Sequence, residues 1–136
     1  MGAWGTGPFD NDDAGDWVYE LEEAGDLGFL RETLATALGA GDYLEMPDGN
    51  NAVAAAAVVA ACLDGSHDGL PEDVVAWLGA TPEPATAADA RLAVRALDRV
   101  TGSGSETAEL WAESPSGAEW SAGVGRLRHR LVHAAT

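Results

Sequence analysis

The sequence predicts an all-α fold: a compact single-domain bundle of six or seven helices around an Ala/Val-rich central helix, with an ordered Gly/Trp N-terminal coil. Three observations carry this. Apolar residues recur at spacings of three and four through most of the chain, the period of a helix with one buried face. The run Ala52 to Leu63 has no polar side, which is the pattern of a helix covered all round. Gly, Pro and capping residues punctuate the chain at helix-length intervals, and no alternating strand pattern or internal repeat stands out. At 136 residues the chain suits one core, so residues 1–136 are read as a single helical domain.

The elements follow in order. Gly2, Gly5 and Gly7 surround Trp4, and Pro8 follows, so the start is coil rather than a regular element. Trp4 and Phe9 gain most from burial and are expected to pin this coil to the body. Asp10, Asn11, Asp12 and Asp13 mark a helix start, with Phe9 suited to a hydrophobic staple. The first helix is expected from Asp12 to Ala24, with Ala14, Trp17, Val18 and Leu21 inward and Gly25 as its stop. A second runs from Asp26 to Leu38 on Leu27, Leu30, Leu34 and Leu38, stopped by Gly39 and Gly41. Asp42 to Gly49 reads as a loop, with Pro47 and a turn-like Asp48-Gly49, whose Tyr43, Leu44 and Met46 fold back on the core. The central helix is expected after Asn50 or Asn51, reaching Leu63; its alanines argue against a strand despite the valines.

Asp64 to Leu70 is a polar loop. Pro71 opens a fourth helix at its favoured first position, with Val74, Val75, Trp77 and Leu78 and an end at Gly79. Thr81 to Ala85, with Pro82 and Pro84, is a stiff link. A fifth helix, Ala87 to Val100, turns Leu92, Ala93, Ala96, Leu97 and Val100 inward and sets Arg91, Arg95 and Arg99 as a basic ridge that Asp89 and Asp98 partly offset. Ser103 to Ser105 breaks it, and Glu106 to Glu113 forms a short helix carrying Leu110 and Trp111. Ser116 with Glu119 fits a capping box for the last helix, whose Trp120, Val124, Leu127 and Leu131 share one face.

The opening M-G-A-W-G-T-G-P-F-D-N-D-D-A-G-D-W resembles a bacterial family of short acidic proteins known only as a domain of unknown function, whose members begin M-G-A-W-G-x-G-x-F-D-N-D. The later stretches S-E-T-A-E-L-W-A-E-S and E-W-S-A-G-V-G-R-L resemble its C-terminal part, so the likeness spans nearly the whole chain. It implies no activity.

Charge sets the next bound. The formal net charge is −16, and all seven basic residues are Arg. Residues 1–90 hold 18 of the 23 acidic residues and, among bases, only Arg31. Such a field repels nucleic acid and suits a basic protein partner. With 46% hydrophobic residues the chain is not intrinsically disordered. No basic segment followed by an apolar run opens it, and Ala52 to Leu63 is too short to span a bilayer. The single Cys62 excludes an intrachain disulfide and suits a reducing compartment. A cytoplasmic protein without membrane contact is therefore expected.

Candidate chemistry is sparse. Asp10 to Asp16 is the one dense set of oxygen ligands. Read as an EF-hand, it places Ala14 at the fifth position and Leu21 at the twelfth, where calcium needs Glu. Helix capping explains the run better, with magnesium on two of its carboxylates as the alternative. His129 and His133 have zinc spacing but no third ligand and three Arg neighbours. His67 stands alone in a loop. Cys62 sits in the buried run, where packing is its expected role. No nucleophile elbow, nucleotide loop or Lys exists. No cofactor or catalytic residue is expected.

The expected function is thus a non-enzymatic protein-binding module of immunity or inhibitor type, with Trp4, Phe9, Asp10, Asn11, Asp12 and Asp16 as the candidate surface. One alternative is a metal-dependent protein or enzyme with its carboxylates at the start of the first helix. Another is self-association of the acidic body with the Arg91, Arg95, Arg99 ridge, and the sequence leaves the oligomeric state open.

Overall fold

The computed structural model describes residues 3–81 and 83–136. Met1, Gly2 and Pro82 lie outside them, including the first glycine of the N-terminal coil and the first proline of the stiff link. The described residues form seven helices: α1 (Asp12–Ala24), α2 (Leu27–Leu38), α3 (Met46–Asp64), α4 (Glu72–Ala80), α5 (Ala87–Thr101), α6 (Glu106–Ala112) and α7 (Gly117–Ala134). Among these residues there is no strand, only two isolated bridges, Ala3 with Asn11 and Leu44 with Ser105.

The helix α3 is the hub, packed against α1, α2, α5, α6 and α7. From Ala52 to Ala61 every residue is buried. Alanine side chains let neighbouring backbones come close, and Leu30, Leu34, Leu97 and Leu131 fill the space around them with no exposed surface. One stripe of α3 is covered by coil rather than helix. Asn50, Val53 and Ala57 lie along it, and the N-terminal segment lies over it.

The ends of the helices show why they start where they do. Asn11 caps α1 by accepting the Ala14 N–H at 2.8 Å, and Gly25 closes it in the left-handed conformation, φ 70°. Asp26 caps α2 through the Phe29 N–H at 3.2 Å. Thr86 and Asp89 form a full capping box on α5. Ser116 makes no such bond on α7, so the expected Ser116–Glu119 box is absent.

Two further expectations are corrected. The central helix starts at Met46, a full turn before Asn50, and absorbs Pro47, Asp48 and Gly49. Pro47 is accommodated because an N–H in the first turn has no intrahelical partner. The Met46 N–H is instead bound by the Glu106 carboxylate at 2.7 Å, so the start of α3 is fixed from α6. Gly49 is required there because a side chain would collide with Thr107 of α6. Tyr43 does not fold back on the core: it is exposed and its hydroxyl donates to Glu109 at 2.9 Å, which holds the phenol above its ordinary pKa. Leu44 and Met46 are buried as expected. Smaller shifts put Pro71 at the cap of α4 rather than inside it, and carry α4 to Ala80.

Aromatic pairs tie the outer helices. Trp17 stacks on Phe29 at 5.6 Å between centroids, and its Nε1–H donates to Thr33 at 3.0 Å. Trp111 and Trp120 stack at 5.8 Å and join α6 to α7. Ion pairs add long-range clasps. Asp89 is buried yet accepts two bonds from Arg31 at 2.7 and 3.1 Å, joining α5 to α2. Arg130 holds Asp64 at 2.8 and 3.0 Å, joining α7 to the end of α3.

Two outcomes test this account. Ala55 is fully buried, so Ala55→Leu must force helices apart and should lower stability by about 1–3 kcal/mol, read by chemical denaturation. The Arg31 guanidinium holds the Asp89 carboxyl below its ordinary range. Its contribution is therefore full above the unfolded pKa, about 3.9, and is lost as pH falls toward the lower folded value. Asp89→Asn should accordingly destabilise the protein at pH 7, and its difference from wild type should shrink below about pH 4 in paired thermal melts.

Candidate functional site

The N-terminal coil is a closed loop built on Asp10. Gly7, Pro8, Phe9 and Asp10 make a tight turn, with the Asp10 N–H donating to the Gly7 carbonyl at 3.1 Å and Pro8 at the position that favours its fixed φ. The Trp4 N–H donates to the Asp10 carbonyl at 3.0 Å, and the Gly7 N–H to the Asp10 carboxylate at 3.0 Å. A side chain at Gly5 or Gly7 would place its Cβ 2.5 or 2.8 Å from Asp10 Oδ2. The glycines therefore serve close approach to this carboxylate.

This turn sends Phe9 into the core and leaves Trp4 67% exposed. The expectation of two aromatic anchors is therefore half right. Trp4 follows a backbone tied to Asp10, and that tie places its ring outside the body. The other four tryptophans are buried.

A groove of about 490 Å³ opens between this coil, α1 and the start of α4. Trp4, Phe9, Asp12 and Asp16 line it. Asp10 and Asn11 do not: one closes the loop and the other caps α1. Asp13 leaves the acidic run as well, accepting from the Asn50 amide at 2.9 Å. Two residues absent from the expected set complete the groove, Tyr19 and Asp73. Tyr19 is 69% exposed. Asp12, Asp16 and Tyr19 follow spacings of four and three on one helix, a polar stripe readable in the sequence. Asp73 arrives from another helix and has no such signal.

Of the carboxylates of residues 10–16, Asp10 and Asp13 are thus engaged elsewhere, and only Asp12 and Asp16 share the groove. Among the described residues no group of three or more His, Cys, Asp and Glu is arranged to hold a metal ion. His129 and His133 are exposed on α7, and His67 is exposed in its loop. Cys62 is half-buried, and burial pushes its thiol up to about 11, which keeps it protonated and a poor nucleophile. The basic ridge of α5 is shorter than expected. Arg99 is spent on the carbonyls of Gly41, Ser103 and Gly104, leaving Arg91 and Arg95 exposed.

The geometry defines an all-helical domain with an acidic, aromatic-lined groove at its N-terminal loop. The chain belongs to the family described as domain of unknown function (DUF4259), which it matches over residues 2–123. No curated protein and no solved structure matches it. Among the described residues no helix is long and apolar enough to cross a membrane.

The loop geometry yields a test. Gly5→Ala and Gly7→Ala should each displace the Asp10 carboxylate and lower the melting temperature, whereas Gly15→Ala, which meets nothing within 4 Å, should not. Differential scanning calorimetry of the three variants separates these outcomes.

Proposed function

We propose that this chain is a non-enzymatic protein-binding module, of immunity or inhibitor type, that receives a basic segment of a partner protein in the acidic groove. The observation that carries this reading is the pairing of two exposed aromatics, Trp4 and Tyr19, with Asp12, Asp16 and Asp73 along one recess. None of these three carboxylates has an ion-pair partner among the described residues. Carboxylates beside open aromatic faces suit Arg and Lys side chains, through charge-assisted hydrogen bonds and cation–π contact. The surrounding acidic field speeds the approach of such a partner and repels nucleic acid.

The same reading makes the protein bacterial and cytoplasmic, in keeping with its lone free thiol. It needs no cofactor. Self-association is the second reading, favoured by Arg91 and Arg95, which lie one turn apart without ion-pair partners among the described residues. A second copy then supplies the basic segment.

Pull-down from native lysate at low salt is the test, with folding of each variant checked by its melt. Wild type should retain a basic protein that high salt releases. Asp12→Asn/Asp16→Asn and Trp4→Ala should each lose it by about tenfold or more, as expected for desolvated charged and aromatic contacts. Equal retention by all three proteins, or no retained partner, counts against the groove. Light scattering across a salt series separates the second reading, since a monomer at low salt excludes it.

A further inference from the structure

A second recess lies on the other side of Phe9, at the stripe of α3 that the N-terminal coil covers. Its volume is about 370 Å³, within the range of small-molecule sites. Phe9, Val53, Ala57, Val124 and Leu127 wall it, each buried but for a few per cent of its surface. Two guanidiniums and one carboxylate stand at its edge: Arg126, Arg130 and Asp68. Arg130 is committed to Asp64 by two hydrogen bonds and is further balanced by Asp68. Arg126 has no ion-pair or hydrogen-bond partner among the described residues. Its Nη2 lies 3.7 Å from where a Cβ on Gly123 would stand, so the guanidinium folds back over the preceding turn of α7, and both residues line the recess.

We infer that this recess binds a small amphipathic carboxylate, such as a medium-chain fatty acid, with its apolar tail against Phe9, Val53, Ala57 and Leu127 and its carboxylate on Arg126. Thr6 and Ser66 add two hydroxyls to the lining, but Phe9, Val53, Ala57, Val124 and Leu127 form an apolar wall without hydrogen-bonding side chains, and that wall suits a hydrocarbon tail. Among the described residues Arg126 is the one cation at the opening without an ion-pair partner, and a planar guanidinium matches a carboxylate. The site is separate from the acidic groove in charge and ligand, and stands or falls independently of the protein-binding reading.

Calorimetric titration and thermal melts of the full chain with butanoate, hexanoate and octanoate test it. Octanoate should bind saturably and raise the melting temperature. Affinity should rise by about fourfold for each added methylene the recess buries. Arg126→Gln, at an exposed position, should weaken octanoate by about tenfold. Gly123→Leu should abolish binding by filling the recess, and its Cβ meets only the movable Arg126 side chain. Should Gly123→Leu not fold, Arg126→Gln and the chain-length series decide. The inference is overturned if octanoate shows no saturable binding, if Arg126→Gln binds as wild type does, or if octanol or octylamine binds as tightly as octanoate.

Discussion

Close packing around an alanine-rich helix is the constraint on which the rest of this structure depends. A helix without a polar face is stable only when covered, and α3 needs neighbours on nearly every side. Its small side chains contribute little volume, so the leucines of α2, α5 and α7 must reach in to fill the space. Five other helices are held in place by that requirement. Polar clasps then act where packing alone is indifferent to register. Arg31 with Asp89 and Arg130 with Asp64 each join helices far apart in sequence, and the first leaves a nearly buried carboxylate dependent on its partner.

The helices do not close over α3 completely, and the N-terminal coil completes the cover. Its conformation follows from the Asp10 carboxylate, which binds one glycine N–H and excludes side chains at two glycines. The result is a loop with one apolar ring turned in and one turned out. Phe9 becomes the wall between two recesses of opposite character. On one side are exposed rings and carboxylates without ion-pair partners among the described residues, on the other an apolar hollow with a guanidinium likewise without one. The segment that seals the core is thus also the one that shapes both recesses of the surface beside it.

Most of the helical pattern was legible because local rules and burial agree. The spacing of Trp17 and Leu21, of Leu30 and Leu34, and of Val124, Leu127 and Leu131 matches their burial in the fold. The start of α3 was not legible. Pro47 and Asp48-Gly49 read locally as a turn, and the carboxylate that anchors Met46 comes from Glu106, sixty residues away. Asp89 was readable as a charge offsetting the Arg ridge, whereas its partner is Arg31 on another helix. In the candidate groove, Trp4, Phe9, Asp12 and Asp16 were readable because one local segment carries them. Asp73 was not, since only the packing of α4 against α1 brings it near.

The sequence by itself determined the class of fold, the central helix, the net charge and the unusual N-terminal segment, because these follow from composition, period and local backbone preference. Only the tertiary structure decided which acids remain free and which are used. Asp10 closes a loop, Asn11 caps, Asp13 meets Asn50, and Asp12 and Asp16 face outward. Only the tertiary structure, likewise, decided that Trp4 is exposed while Phe9 is buried. The reason is the same in each case. A side chain's role depends on the groups that reach it from distant parts of the chain, and one-dimensional spacing carries no record of them.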